Sequence, residues 1–155
     1  MGSSLQSASD RRPPAAEPLD GTGRTARVDM QARILIVEDE VMIAWMIESL
    51  LEEMGFDTIE IAASDDDAFA AVARERPALI VSDINLGCGL DGIAVAERIN
   101  ADGVVPVLFV SGYADDKARL RIETQFAAAS LLRKPIDHSL LRGAVMAALS
   151  GPARH

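Results

Sequence analysis

Five polar side chains stand where apolar runs end. Glu38 and Asp39 follow Ile34-Leu35-Ile36-Val37, and Asp83 closes Leu79-Ile80-Val81-Ser82. Ser111 follows Val107-Leu108-Phe109-Val110, and Lys134 follows Ser130-Leu131-Leu132-Arg133. A charge left unpaired beside buried apolar segments is costly, so these groups are best explained as partners in one polar crevice. Carboxylates sharing a crevice repel one another unless a cation lies between them. An oxygen-rich site with few protein ligands suits Mg²⁺, which keeps several waters and shares phosphate oxygens. Lys134 adds a compact positive charge and Ser111 a hydroxyl donor, and both can engage phosphoryl oxygens. Asp83 is then the natural nucleophile, because a carboxylate can form an acyl phosphate.

That chemistry requires elements that bring the five residues together. Arg33–Val37, Thr58–Ala62, the run Ala78 to Leu86, Val107–Val110 and Ser130–Leu132 read as strands, short and nearly continuously apolar. Helical spacing separates them. Ile43, Ile47, Leu50, Leu51 and Met54 form a first stripe, with Trp45 and Met46 off it or at its edge. A second helix starts at an Ser64 N-cap and ends before Pro77, with Asp65-Asp66-Asp67 as the acidic first turn that a helix dipole favours. A third covers Gly92 to Asn100, a more polar fourth runs from Asp115-Asp116 to about Gln125, and Asp137 caps a fifth. Alternating strands and helices predict an α/β doubly wound parallel sheet of the flavodoxin-like type, five strands in the order 2-1-3-4-5 with five helices. In that order the carboxyl ends of the first, third, fourth and fifth strands lie near one another.

At 155 residues the chain has room for one domain with a real core. Its net charge of −9 gives nucleic-acid binding little electrostatic support. The single cysteine, Cys88, excludes an intrachain disulfide and a cysteine zinc cluster, and fits a reducing cytoplasm. No apolar stretch is long enough to span a membrane, and Pro13-Pro14 follows Arg11-Arg12 where a twin-arginine signal needs apolar residues. The chain therefore reads as cytoplasmic. Residues 1 to 31 lack apolar periodicity and are expected to be a disordered tail, followed by a domain over 32 to 150 and a short tail over 151 to 155.

Glu38-Asp39 after the first strand, Asp83 after the third, Ser111-Gly112 after the fourth and Lys134-Pro135 after the fifth together resemble the receiver domains of two-component response regulators. The resemblance covers about residues 32 to 150. It implies that Asp83 accepts a phosphoryl group from a phosphohistidine on a sensor histidine kinase or a histidine phosphotransfer protein. It also implies that Asp39, Asp83 and the main-chain carbonyl of Asn85 hold Mg²⁺, with Glu38 acting through water. Ser111 and Lys134 would contact the phosphoryl oxygens, and the Lys134-Pro135 peptide would be cis.

Three departures mark this chain. Gly87-Cys88-Gly89 replaces the proline common after the phosphoacceptor strand, and the loop to Asp91-Gly92 is one residue longer. Leu131 occupies the place of a common switch aromatic. Phe109-Val110-Ser111-Gly112-Tyr113 is similar to the Phe-Ala-Thr-Gly-Tyr signature of an atypical subgroup that also lacks that aromatic. Tyr113 is then the candidate moving ring, against the plainer reading of a rim aromatic covering apolar surface.

Other functions compete. A metal-dependent phosphatase with an aspartyl nucleophile would resemble haloacid-dehalogenase-like enzymes, yet those place Asp-x-Asp after a first strand and here Asn85 follows Asp83. A binding module independent of phosphorylation would have no need of Lys134. With the chain ending soon after the fifth helix, no effector unit is expected. A signal would leave through a surface of fourth helix, fifth strand and fifth helix, or the phosphate would pass to another protein.

Overall fold

The computed structural model describes residues 27–151. Its elements alternate as the sequence requires: β1 (Ile34–Val37), α1 (Val41–Glu53), β2 (Ile59–Ala62), α2 (Asp65–Arg74), β3 (Leu79–Asp83), α3 (Gly92–Asn100), β4 (Val107–Ser111), α4 (Asp116–Gln125), β5 (Ser130–Arg133) and α5 (His138–Leu149). All neighbouring strands are parallel, in the order β2-β1-β3-β4-β5. The flavodoxin-like arrangement is the observed one.

The continuous apolar character of the central strands has a direct cause. Every residue of β1, β3 and β4 is buried, because helices cover both sheet faces. Alternate side chains feed two cores. Leu35, Val37, Ile80 and Phe109 meet α2, α3 and α4, whereas Ile34, Ile36, Val81 and Leu108 meet α1 and α5. Edge strand β5 is only partly covered, with Leu131 packed against the first core and Leu132 against the second.

Four helices start on a side-chain cap. Ser64, Asp91, Asp115 and Asp137 accept the N–H of Asp67, Ala94, Ala118 and Leu140 respectively, at 2.7–3.1 Å. Helix α1 begins differently. Its N-cap Glu40 gives no side-chain cap, and the Glu40 N–H donates instead to Glu38 Oε1 at 3.1 Å.

Besides one-residue shifts at Arg33, Thr58, Ala78 and Arg133, the sequence boundaries change in three places. The apolar run to Leu86 leaves the sheet after Asp83, and Ile84 and Leu86 stay buried by folding from the loop onto the α2/α3 core. Ser111 belongs to β4 and no longer merely follows it. Of the expected N-terminal tail, residues 1–26 lie outside the described residues. Residues 27–31 are described, and their Val28 and Met30 pack against the α1/α5 core. Of the expected C-terminal tail, only Gly151 is described.

Candidate functional site

Parallel strands put their carboxyl ends on one edge of the sheet, and register then fixes which side chains meet. Val37 pairs with Ser82, Asp83 with Val110, and Ser111 with Arg133. Glu38, Asp83, Ser111 and Lys134 therefore converge at the β1/β3/β4/β5 edge, where a doubly wound sheet changes winding direction. Lys134 is tied to that edge through its backbone, since its N–H donates to the Ser111 carbonyl at 2.9 Å.

Glu38 and Asp83 are buried, at 1% and 5% exposure, while Asp39 faces solvent. One carboxylate oxygen from each of the three lies within 4.8 Å of the others. The Lys134 ammonium stands 3.1 Å from Glu38 Oε2 and 3.3 Å from Asp83 Oδ2. It is the compensating cation of two buried carboxylates, and no buried side-chain polar atom among the described residues lacks a partner. The Lys134-Pro135 peptide is cis and the amine points inward, as expected.

Electrostatics follow from this crowding. Burial pushes the Glu38 carboxyl up to about 7; the Glu40 amide and Lys134 pull it down, and the Asp83 charge adds to the rise. For Lys134, burial works against the ammonium, but the hydrogen bond to Glu38 and the charges of Asp83 and Glu38 outweigh it. The group is held above the ordinary lysine value. A dication matches this edge, because three carboxylates stand together and Lys134 contacts only the two buried ones.

The remaining expected residues are placed less tightly. Asn85 is exposed, and its backbone N–H donates to Asp83 Oδ1 at 3.2 Å, on the side of Asp83 away from Lys134 Nζ, which contacts Oδ2. Ser111 does not face the carboxylates with its proton. Its hydroxyl donates to the Tyr113 carbonyl at 2.6 Å and accepts the Tyr113 N–H at 3.1 Å. Tyr113 is 73% exposed, so its ring covers little apolar surface. His138 and Cys88 are exposed, and Trp45 lies outside the α1 core stripe.

Residues 34–146 match the response regulator receiver domain. The chain belongs to that family. It is 31% identical over 132 residues to the phyllosphere-induced regulator PhyR of Methylorubrum extorquens, covering 84% of this chain and 48% of that protein. The DNA-binding response regulator MtrA of Mycobacterium tuberculosis is 36% identical over 86 residues, covering 56% of this chain and 37% of MtrA. Among solved structures, the N-terminal domain of a response regulator/sensory box/GGDEF protein from Carboxydothermus hydrogenoformans superposes with a TM-score of 0.67 at 32% identity, covering 76% of this chain and 93% of that one. PhyR from Brucella abortus superposes with a TM-score of 0.65 at 27% identity, covering 80% of this chain and 49% of that one. The receiver thus spans about half the length of PhyR. No described helix is long and apolar enough to cross a membrane.

Two features of the receiver were not legible as functional. Asp65 lies in the expected acidic first turn of α2, yet it also reaches the loop after β3: Asp65 Oδ2 accepts the Leu90 N–H at 3.0 Å. Arg121, in the polar α4, contacts Asp91 Oδ2 at 2.8 Å and Glu97 Oε1 at 3.3 Å, both belonging to the start and body of α3. The only sequence signal for the first was the glycine pair 87 and 89 flanking Cys88.

Proposed function

We propose that this receiver takes a phosphoryl group from a phosphohistidine onto Asp83, using Mg²⁺ held by Asp39, Asp83 and the Asn85 carbonyl, with Glu38 acting through water. The observation that carries this reading is the Lys134 ammonium poised 3.3 Å from a buried Asp83 that stands with two further carboxylates. Bound there, Mg²⁺ supplies charge neutralisation for phosphoryl oxygens. The chain's own residues do the rest. An Asp83 oxygen attacks phosphorus as the P–N bond to the donor imidazole breaks, and the bonding pair leaves with that nitrogen. Lys134 meets a phosphoryl oxygen as charge moves outward from the carboxylate. Ser111 donates a hydrogen bond to another such oxygen, which requires it to abandon the Tyr113 carbonyl, since a hydroxyl has one hydrogen to donate.

The phosphodonor is a histidine kinase or a histidine phosphotransfer protein, and the receiver acts by protein contact or by passing the phosphate on. Its chemistry is confined to its own phosphorylation and dephosphorylation. Acetyl phosphate with Mg²⁺, followed by intact mass, tests the reading. The protein should gain one phosphoryl group and Asp83→Asn none. Equal labelling of the Asn variant places the acceptor elsewhere and sinks the mechanism.

A further inference from the structure

The loop between β3 and α3 has carboxylates close to it on two sides. At its start, a Cβ on Gly87 would stand 2.8 Å from Asp39 Oδ2, and Gly87 has φ +76°. Two residues on, a Cβ on Gly89 would stand 2.6 Å from Asp65 Oδ2, and Gly89 has φ +82°. Both positions need glycine twice over, for the left-handed backbone and for the close carboxylate. The loop is therefore wedged between an acid of the candidate metal site and an acid on α2.

Asp65 is bound at both oxygens. Oδ1 accepts the Asp66 N–H at 2.8 Å at the start of α2, and Oδ2 accepts the Leu90 N–H. The Leu90 amide, helped by that of Asp66, holds the Asp65 carboxyl below the ordinary carboxylate range, so the strut is charged at neutral pH. Asp39, in contrast, is exposed, and among the described residues no hydrogen bond holds its carboxylate; its Oδ2 lies against Gly87, 2.8 Å from where a Cβ would stand. The path from Asp65 to the site is short: Asp65 holds the Leu90 amide, Gly89 and Gly87 lie one and three residues before Leu90, and Gly87 borders the Asp39 carboxylate.

We infer that Asp65 is a positioning residue for the cation site, acting through the Gly87–Leu90 loop on Asp39. The inference rests on the reading that this edge takes Mg²⁺. An outer residue that orients a ligand typically changes metal affinity about tenfold or more when removed. Hydrogen bonding, and not bare charge, is the operative property, so a neutral side chain at position 65 that still accepts the Leu90 N–H should serve in part, although it has one acceptor oxygen for two amides.

The test is calorimetric Mg²⁺ titration of the full chain, run beside Leu90 amide exchange by NMR and acetyl phosphate labelling by intact mass. Asp65→Ala should accelerate Leu90 exchange and weaken Mg²⁺ binding about tenfold. It should raise the Mg²⁺ concentration needed for half-maximal labelling and leave the rate at saturating Mg²⁺ unchanged. Asp65→Asn keeps one acceptor oxygen and should restore affinity to the extent that it restores Leu90 protection. Gly89→Ala, which intrudes on the same carboxylate from the loop side, should repeat the loss if Asp65→Ala does not fold. Unchanged Mg²⁺ affinity in Asp65→Ala despite faster Leu90 exchange overturns the inference. So does weakening by Asn equal to that by Ala while Leu90 protection is kept, which would assign the effect to charge. A protein that binds Mg²⁺ but takes no phosphoryl group defeats the phosphoacceptor reading alone, because the titration and the exchange still decide the role of Asp65. A protein that does not bind Mg²⁺ overturns both.

Discussion

Helices α3 and α4 lie side by side on one face of the sheet, yet they are held there by different forces. Helix α3 buries Gly92, Ile93, Val95, Ala96 and Ile99, whereas α4 buries only Ile122. What α4 lacks in apolar contact is supplied by two other contacts. Phe126, just past its last turn, meets Phe109 edge-on with centroids 5.2 Å apart, and Arg121 grips Asp91 and Glu97 of the α3 segment. An open cleft of about 340 Å³, lined in part by Asn85, Tyr113, Lys117 and Arg121, separates the start of α4 from the loop that follows Asp83. The lesson concerns what each helix is built for. Apolar burial makes α3 part of the scaffold that fixes Asp83, while an ion-paired helix beside a cleft is free to shift at modest cost.

The sharpest way to break this contrast is to remove one methyl-rich side chain from each helix. Ile93→Ala should cost about 2–5 kcal/mol in urea unfolding, the range for large-to-small changes in a packed core. Ile122→Ala should cost less than that range, because α4 can loosen locally while the sheet and α3 remain folded. Equal losses would show that α4 is as integral to the cooperative unit as α3.

A smaller effect should appear when the site is loaded. Ser111 ends β4 and its hydroxyl is engaged with Tyr113, at the entry to α4. Beryllofluoride with Mg²⁺ offers that hydroxyl a competing acceptor. Amide shifts should then move from Gly112 through α4 and into β5, with α3 nearly still, since a ligand shifts a population only through contacts that differ between states. Shifts confined to the loops around Asp39 and Asp83 would make the receiver a passive phosphate carrier.

Which parts of this were readable beforehand follows from the range of the forces. Asp83, Glu38 and Lys134 were legible because each ends an apolar run, and strand order alone gathers strand ends. Leu131 was legible as a missing aromatic, and it packs against the core that also holds Phe109 and Ile122. The loop contact of Asp65 was not legible, because three consecutive acids at a helix start are fully accounted for by the helix dipole, and the partner amide lies 25 residues away. Arg121 was hidden in the same way, since a polar helix face looks solvated until its neighbour is placed. Val28 and Met30 escaped notice because isolated apolar residues in a polar stretch carry no period.

The smallest expected effect isolates the ion pair itself. Asp91 does two things: Oδ1 caps α3 by accepting the Ala94 N–H, and Oδ2 pairs with Arg121. Asp91→Asn preserves a capping oxygen and removes the charge, so it separates the two roles. Burial alone would raise the Asp91 carboxyl, but the Arg121 hydrogen bond and the Ala94 amide outweigh it, and the folded value is lowered. A depressed carboxyl contributes stability that is fully present above its unfolded value of about 3.9 and is lost as pH falls through the folded value. The side chains of Asp91 and Arg121 are 41% and 31% exposed, so solvent screening holds the contribution below about 1 kcal/mol. Asp91→Asn should therefore be slightly less stable than the parent at pH 7, and the gap should close as pH falls below about 3.9 and also shrink in high salt. At pH 7 its α4 amides should exchange faster while those of α3 keep their protection, because the scaffold helix does not depend on the pair. A gap that persists in acid, or one accompanied by loss of α3 protection, would mean that Asp91 matters as a cap and that α4 is held by something other than Arg121.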